Sequence, residues 1–523
     1  MPERSGPLRE NREAVLRARV LRAAGIRVVE TAAQIRRPSE SLMERAGHAV
    51  AAQAITMTAE HTGPVLLLAG PGNNGGDALV AARELLRLGI DARVALLDEH
   101  APYAGAALLA WTLWQEAAGE HAAPVDPARV IGNASLVVDG LFGIGFDRAP
   151  TGKAREWITL VNAATCPVLA IDIPSGVHAD TGHVADIAIE ADRTITFLAL
   201  KPGLVTGPGL DHCGCVVVDL LGIDRDDQLA SQTTFGAGDA GALNRLAAFA
   251  DAFEPRRRDS HKGSYGSVAV IGGHDGMVGA ALLASRMALH SGAGRVYVRL
   301  LARYGPGLDI VQPELMLRTS LDGVDASAFA IGPGLGDDDA AIAAIEKHLS
   351  TPAKLVIDAD ALNLIASHAS LADRLAGRRR QDLSLAVLTP HPLEAARLLA
   401  TDAESVQADR LAAATTLAER TGSIVILKGA GTVIADPSGA WSINSTGNPA
   451  LATGGTGDVL GGLVAGLAAQ GLSPLAAARA ATWLHGTAAD DLVAAGHGPV
   501  GLTASELIVA IRTAINRLVR ERD

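Results

Sequence analysis

Short apolar runs alternate along most of the chain with segments whose apolar residues recur every three or four positions. Val65–Ala69 is a continuous apolar run and reads as a buried strand. Asp77–Leu88 carries Leu79, Ala82, Leu85 and Leu86 at helical spacing, and Gly89 closes it. The same beat continues through strands at Arg93–Leu97, Leu136–Asp139, Pro167–Ile171, Thr194–Leu198 and Cys215–Asp219, with helices at Ser41–Thr58, Ala104–Ala118 and Glu156–Ala164. It weakens between Asp224 and Arg258. It then restarts with strands at Ser267–Ile271, Arg295–Arg299, Ala328–Ile331, Leu355–Ile357, Leu385–Leu388 and Ile424–Leu427. Strands alternating with helices predict largely parallel sheets with helices on both faces. The expected architecture is α/β, as two domains in tandem: 1–225, a linker at 226–252, and 253–523.

Composition narrows the class. Apolar residues make up 48% of the 523 and charged residues 20%, enough for large cores. Aromatics are only 3%, too few for base-stacking platforms, and the net charge of −12 disfavours a nucleic-acid binder. Local anion sites remain open to it through backbone N–H groups, and the 57 glycines supply the turns for them. Val459–Trp483 is the longest apolar stretch, but Gln470, Pro474 and Arg479 interrupt it, so core helices are expected and no membrane span. The first 30 or so residues read as a charged helix or tail, Met1–Arg37 carries no secretory signal, and three cysteines without a CxxC pair fit a reducing, cytoplasmic compartment. The runs Asp337–Asp339 and Arg378–Arg380 read as solvated surface.

Candidate chemistry collects where strands end, which is where ligands sit on open α/β sheets. Gly70-Pro71-Gly72-Asn73-Asn74-Gly75-Gly76-Asp77 lies between a strand and a helix and suits a nucleotide phosphate. Asp139 opens Gly140-Leu141-Phe142-Gly143-Ile144-Gly145, and Ile171-Asp172-Ile173-Pro174-Ser175-Gly176 follows another strand. Each aspartate alone could be a turn or cap residue; three strand ends in one crevice make a site.

These motifs, together with Leu42-Met43-Glu44-Arg45-Ala46-Gly47 and Phe197-Leu198-Ala199-Leu200-Lys201-Pro202-Gly203, resemble the NAD(P)H-hydrate epimerase family over roughly Val28 to Gly222. The resemblance implies a Rossmann-like three-layer fold that equilibrates the C6 epimers of hydrated nicotinamide nucleotides. It implies substrate contacts from Asn73, Asn74, Gly75, Gly76 and Asp77, and from Gly143, Ile144, Gly145, Phe146, Asp147, Arg148 and Ala149. It implies Asp172 nearest the chemistry, Lys201 as a further catalytic candidate, and a potassium ion on Asn74, Asp139 and Ser175. Ala78 departs from the family pattern, where glycine is expected, and the segment from Thr31 to Leu42 is short.

In the second half, Gly454-Gly455-Thr456-Gly457-Asp458 opens a helix expected at Val459–Leu467. A glycine turn there can receive phosphate charge, and Asp458 is placed to act as general base. Lys428-Gly429-Ala430-Gly431-Thr432 follows a strand and could hold a nucleotide. His261-Lys262-Gly263-Ser264-Tyr265-Gly266 precedes the first strand, and Thr389-Pro390-His391-Pro392-Leu393-Glu394 follows a third. Asp358 and Asp360 read equally as a helix start or as a carboxylate pair for Mg²⁺ or substrate hydroxyls.

This ensemble, with Asn448-Pro449-Ala450-Leu451-Ala452-Thr453 before the glycine turn and Gly332-Pro333-Gly334-Leu335-Gly336, is similar to the ADP-dependent NAD(P)H-hydrate dehydratase family over roughly Phe253 to Ile515. That family's fold is ribokinase-like. The resemblance implies that Ala293, Gly294, Gly334, His391 and Asp458 face the hydrated nucleotide. Lys428, Gly429, Ala430, Gly431, Thr432 and Gly457 would hold ADP or ATP, with Mg²⁺ offsetting charge. Asp458 would be the base. The chain is thus expected to repair hydrated NADH and NADPH as a homo-oligomer, one half interconverting the epimers and the other consuming one of them. The alternative is a ribokinase-like small-molecule kinase with a non-catalytic nucleotide-binding module.

Overall fold

The computed structural model describes residues 18–36, 41–58, 61–98, 103–223 and 238–521. They divide into two units, one running up to Ala242 and one from Leu243 onward. The division falls inside the expected linker. Of that linker, 226–237 lie outside the described residues, while Ala240–Leu243 (β8) form a strand and Leu246–Ala248 and Ala250–Ala252 are short 3₁₀ turns.

Of the expected N-terminal helix or tail, 1–17 lie outside the described residues. The remainder is built into the first unit. Arg19–Leu21 (β1) pairs antiparallel with β8, and Ala23–Arg36 (α1) buries Ile26, Val29 and Ala33. Those three side chains, three and four residues apart, share one face and seat the helix on the core.

In the first unit, Val65–Ala69 (β2), Ala92–Leu96 (β3), Leu136–Gly140 (β4), Val168–Ile171 (β5), Arg193–Phe197 (β6) and Cys215–Asp219 (β7) form a six-stranded parallel sheet in the order β3-β2-β4-β5-β6-β7. Alternation along β2 supplies two cores. Val65, Leu67 and Ala69 face Leu42–Thr58 (α2), Asn73–Arg87 (α3) and Gly105–Ala118 (α4). Leu66 and Leu68 face Trp157, Ile158 and Val161 of Gly152–Asn162 (α5). Chain order reverses at β2, so the crevice opens beyond the carboxyl ends of β2 and β4.

The second unit orders Trp441–Ile443 (β17), Val433–Ala435 (β16), Ile424–Leu427 (β15), Val387–Leu388 (β14), Lys354–Ile357 (β13), Ala328–Ile331 (β12), Ser267–Gly272 (β9), Arg295–Leu300 (β10) and Met316–Leu317 (β11) across its sheet. From β15 to β11 all are parallel, as expected. The β16–β17 hairpin is antiparallel and was not anticipated, because its strands have only three residues each. Val278–His290 (α6), Thr456–Ala469 (α10), Pro474–Ala494 (α11) and Ala504–Arg520 (α12) pack one face, with Met287, Leu463, Leu484 and Ile511 fully buried. Asp360–Ser367 (α7), Pro392–Leu399 (α8) and Arg410–Thr421 (α9) follow β13, β14 and the loop beyond α8.

Of the two charged runs expected on the surface, one departs from expectation. Arg378 is buried and donates to the carbonyls of Leu349, Thr351, Ala353 and Ser384, so it staples a helix end rather than facing water. Asp337–Asp339 are exposed, and Asp338 also caps the following helix, accepting from the Ala341 N–H at 2.9 Å. Among the described residues no helix is long and apolar enough to cross a membrane, and Val459–Trp483 is divided between α10 and α11.

Candidate functional site

In the first unit, α3 starts at Asn73, not at Asp77 as expected. Backbone proximity explains it. A side-chain carbon on Gly75 would lie 1.8 Å from the Gly70 carbonyl oxygen, and one on Gly70 1.8 Å from that of Leu141. Only glycines let the helix start press this closely on the turn. Asn73, Asn74, Gly75 and Gly76 are therefore the first helical turn, whose leading N–H groups have no intrahelical acceptor. Ala78 is fully buried, and Gly140 makes room for it: a side-chain carbon there would meet the Ala78 methyl at 2.8 Å.

The three expected cation ligands do converge. Ser175 donates its hydroxyl to Asp139 Oδ1 at 2.7 Å and its N–H to Oδ2 at 2.8 Å. The Ser175 Oγ accepts the Phe142 N–H at 2.9 Å, and Asn74 Nδ2 donates to the Phe142 carbonyl at 2.8 Å. Asp139 is completely buried, and burial pushes its carboxyl up to about 6 against the pull of the Ser175 bonds. Among the described residues it has no Lys or Arg ion-pair partner.

Asp172 ends β5 with φ 64°, a left-handed conformation that aspartate tolerates better than most residues. Its Oδ1 accepts from the buried Lys201 ammonium, from Thr196 Oγ1 at 3.1 Å and from the Phe197 N–H at 3.2 Å. Lys201 spends its other donors on Thr196 Oγ1 and the Phe197 carbonyl, both at 2.9 Å. Two further carboxylates share this field. Burial, then Asp172 and Glu30, hold Asp77 well above the usual range; burial and Asp172 raise Glu30. Glu30 was missed from sequence, because it lies in the segment read as a tail. The loop expected to contact substrate, Gly143 to Ala149, borders the same side. Phe142 and Phe146 stack at 4.0 Å, and a side-chain carbon on Gly145 would be 3.9 Å from Arg27 Nη2 of α1. Ile144 packs on the core, while Asp147 and Arg148 are exposed.

In the second unit, three adjacent strand ends deliver the charged groups. Asp358 follows β13, His391 and Glu394 follow β14, and Lys428 follows β15. Lys428 Nζ donates to Asp358 Oδ1 at 3.0 Å and lies 3.9 Å from Glu394 Oε2. Burial opposes its charge, but Asp358 and Glu394 outweigh that and hold the ammonium above its ordinary range. Asp458 lies in the first turn of α10, which starts at Thr456. Burial first, then Asp358, pushes its carboxyl up to about 7, with Lys428 pulling the other way. Gly457 sits against the same ammonium, 3.3 Å from where its side-chain carbon would be.

His391 caps α8: its Nδ1 accepts the N–H groups of Leu393 at 3.1 Å and Glu394 at 3.3 Å, and Nε2 is 3.3 Å from Glu394 Oε1. Glu394, missed as a site residue, was legible as the fourth member of a capping box. Asp358 and Asp360 separate in role, since Asp360 accepts the Gly336 N–H at 3.0 Å. The Lys428–Thr432 turn closes with Thr432 Oγ1 donating to the Gly429 carbonyl at 2.9 Å. Ala293 lies in the apolar core, the Gly294 N–H donates to Gly266 at 3.1 Å, and the Gly334 carbonyl accepts from His274 at 2.6 Å.

Two largely parallel sheets, each with a lysine-held carboxylate at its strand ends, define a two-domain α/β enzyme. Comparison with known proteins identifies which. A family model described as YjeF-related protein N-terminus matches residues 39–203, and one described as NAD(P)H-hydrate dehydratase matches 268–513. The bifunctional NAD(P)H-hydrate repair enzyme of Escherichia coli (strain K12) is 38% identical over 467 residues, 88% of this chain and 86% of its own. That of Leishmania infantum is 36% identical over 539 residues, 96% of this chain and 95% of its own. A solved ADP/ATP-dependent NAD(P)H-hydrate dehydratase from Bacillus subtilis, co-crystallised with ATP/Mg²⁺, is 30% identical, covering 53% of this chain and 98% of its own with a TM-score of 0.46. The chain belongs to the bifunctional NAD(P)H-hydrate repair enzyme family.

Proposed function

We propose that the first unit equilibrates the two C6 epimers of hydrated NADH and NADPH, and that the second uses ADP or ATP to dehydrate the S epimer back to NAD(P)H. The observation that carries this reading is the match to bifunctional repair enzymes across 88% of the chain, spanning both units. It also disfavours a simple kinase with an inert module.

Epimerisation at a carbon bearing a hydroxyl needs that group to leave one face and return to the other. A side chain must lend a proton and take one back. Asp172 is the reacting carboxylate in this reading, oriented by Lys201, Thr196 and the Phe197 N–H. Asp77 and Glu30, whose carboxyls burial and Asp172 raise above their ordinary range, share its field. The α3 start and the loop Gly143 to Ala149 would hold the nucleotide. Potassium fits beside Asp139: among the described residues its buried carboxylate has no Lys or Arg ion-pair partner, and the side-chain oxygens of Asn74, Asp139 and Ser175 suit a hard cation. Its contribution would be positive charge alone.

In the second unit, Asp458 would take the proton of the C6 hydroxyl as that oxygen attacks the terminal phosphorus of the nucleotide, releasing AMP from ADP or ADP from ATP. Phosphate then leaves C6 and a proton leaves C5, which restores the ring double bond. A carboxyl titrating at about 7 is matched to that task. The Gly454–Gly457 turn would receive phosphate, with the nucleotide on Lys428 to Thr432. Among the described residues no three His, Cys, Asp or Glu side chains form a metal cage, so Mg²⁺ would ride chiefly on the nucleotide's phosphates. All three cysteines are free, which supports a cytoplasmic enzyme.

The test is hydrated NADH of each epimer, supplied with ADP or ATP and Mg²⁺. The intact chain should regain the reduced-nicotinamide absorbance from both epimers; no recovery from either overturns the reading.

A further inference from the structure

The glycine turn and Asp458 are only as well placed as the start of α10, which Leu283 of α6 and Ala504 of α12 border at Gly455 and which α11 holds by hydrogen bonding. His485 of α11 is buried, and its Nε2 lies 2.9 Å from the Thr456 carbonyl. A carbonyl only accepts, so Nε2 carries the proton. Burial pulls the ring down to about 4, so it stays neutral. Thr456 in turn ties the turn together, its hydroxyl lying 2.8 Å from the carbonyls of both Leu451 and Thr453.

One turn further on, Asp490 holds the segment leading into the glycine turn. Its Oδ2 accepts the Gly447 N–H at 2.9 Å and its Oδ1 accepts Asn448 Nδ2 at 2.8 Å. Asn448 passes the constraint on by accepting the Ala450 N–H at 3.0 Å. Between them Gly486 lets the two backbones touch: a side-chain carbon there would lie 2.5 Å from the Thr446 carbonyl carbon, and Thr446 Oγ1 donates to the Trp483 carbonyl at 3.1 Å. The contacts made by His485, Asp490, Gly486 and Trp483 all run from α11 to the stretch Thr446–Thr456, and none of these side chains belongs to the charged cluster around Lys428.

We propose that His485 and Asp490 are positioning residues for dehydration. They fix the main chain of Thr446–Thr456 so that the glycine N–H groups and Asp458 meet the phosphate and the hydroxyl in register. The proposal rests on the dehydratase reading of this unit. Stabilisation of developing charge by backbone N–H groups depends on their being preset, and misplacement by about 1 Å can cost on the order of 100-fold. The loss should therefore appear in kcat more than in KM.

The experiment uses the full chain with S-configured hydrated NADH, ADP and Mg²⁺, and compares the parent with His485→Gln, His485→Leu and Asp490→Ala. The parent's own recovery of NADH tests the functional reading, and the variant-to-parent ratios test this one. His485→Gln keeps an N–H donor and is expected within about 3-fold of the parent kcat. His485→Leu fills the volume without a donor and should lose roughly 10- to 100-fold in kcat, with KM for ADP within about 3-fold. Asp490→Ala should behave like His485→Leu, and it carries the test should the leucine variant not fold. Equal losses in the glutamine and leucine variants, or parent-like kcat in Asp490→Ala, overturn the proposal.

Discussion

Lys428 and Asp358, seventy positions apart in the chain, form an ion pair at 3.0 Å beside Asp458. The pair sets opposing influences on Asp458. Lys428 stabilises the ionised Asp458, and Asp358 opposes it. Dehydration should rise with pH through about 7 as Asp458 loses its proton. Lys428→Met should move that midpoint upward and Asp358→Asn downward, each by about one unit. Rate–pH profiles of kcat under saturating nucleotide check this, and shifts of the same sign would refute it.

Asp458→Asn should abolish NADH recovery yet stabilise the protein at alkaline pH. The folded-state pKa of about 7 exceeds that of an unfolded aspartate, about 3.9. Between those values the native state holds a proton that the unfolded chain releases, so stability falls as pH rises. The penalty is absent below pH about 4 and fully present above about 7. The variant should therefore exceed the parent by about 1–3 kcal/mol at pH 8 and match it at pH 4. Urea unfolding at the two pH values measures the difference.

Lys201→Met should remove epimerisation and destabilise the first unit. It leaves Asp172 without its counter-ion, close to Asp77 and Glu30, and breaking a buried pair costs about 3–5 kcal/mol. Asp172→Asn is the milder probe. It should leave the S epimer repairable and slow repair of the R epimer, seen by supplying each epimer separately.

Gly75→Ala should cost about 1–3 kcal/mol or more, because its new methyl meets a backbone oxygen that no rotamer change can move. Gly72→Ala is the control. Nothing lies within 4 Å of that position, so its unfolding free energy should stay within about 0.5 kcal/mol of the parent.

Much of this was legible in the chain. β2, β12 and β15 match their apolar runs, because a buried strand needs an unbroken apolar stretch and a turn to leave it. The loops that carry Asn74, Asp139 and Ser175 were readable as one crevice because each lies at a strand end, while the trio itself came from the family resemblance. Glu30 was not, since its helix looked like a charged tail until packing showed which face it buries. Nor was Arg378, whose burial depends on four carbonyls that only the fold assembles.

By itself the sequence determined the two α/β domains, the glycine turns and the carboxylates that follow the strands. These are local properties, written in periodicity and in backbone freedom. Tertiary structure alone decided which charges face one another. Lys201 is given to Asp172, Lys428 to Asp358, and His485 to the Thr456 carbonyl behind the glycine turn. Charge interaction and burial depend on distance through space, and chain spacing carries no measure of that.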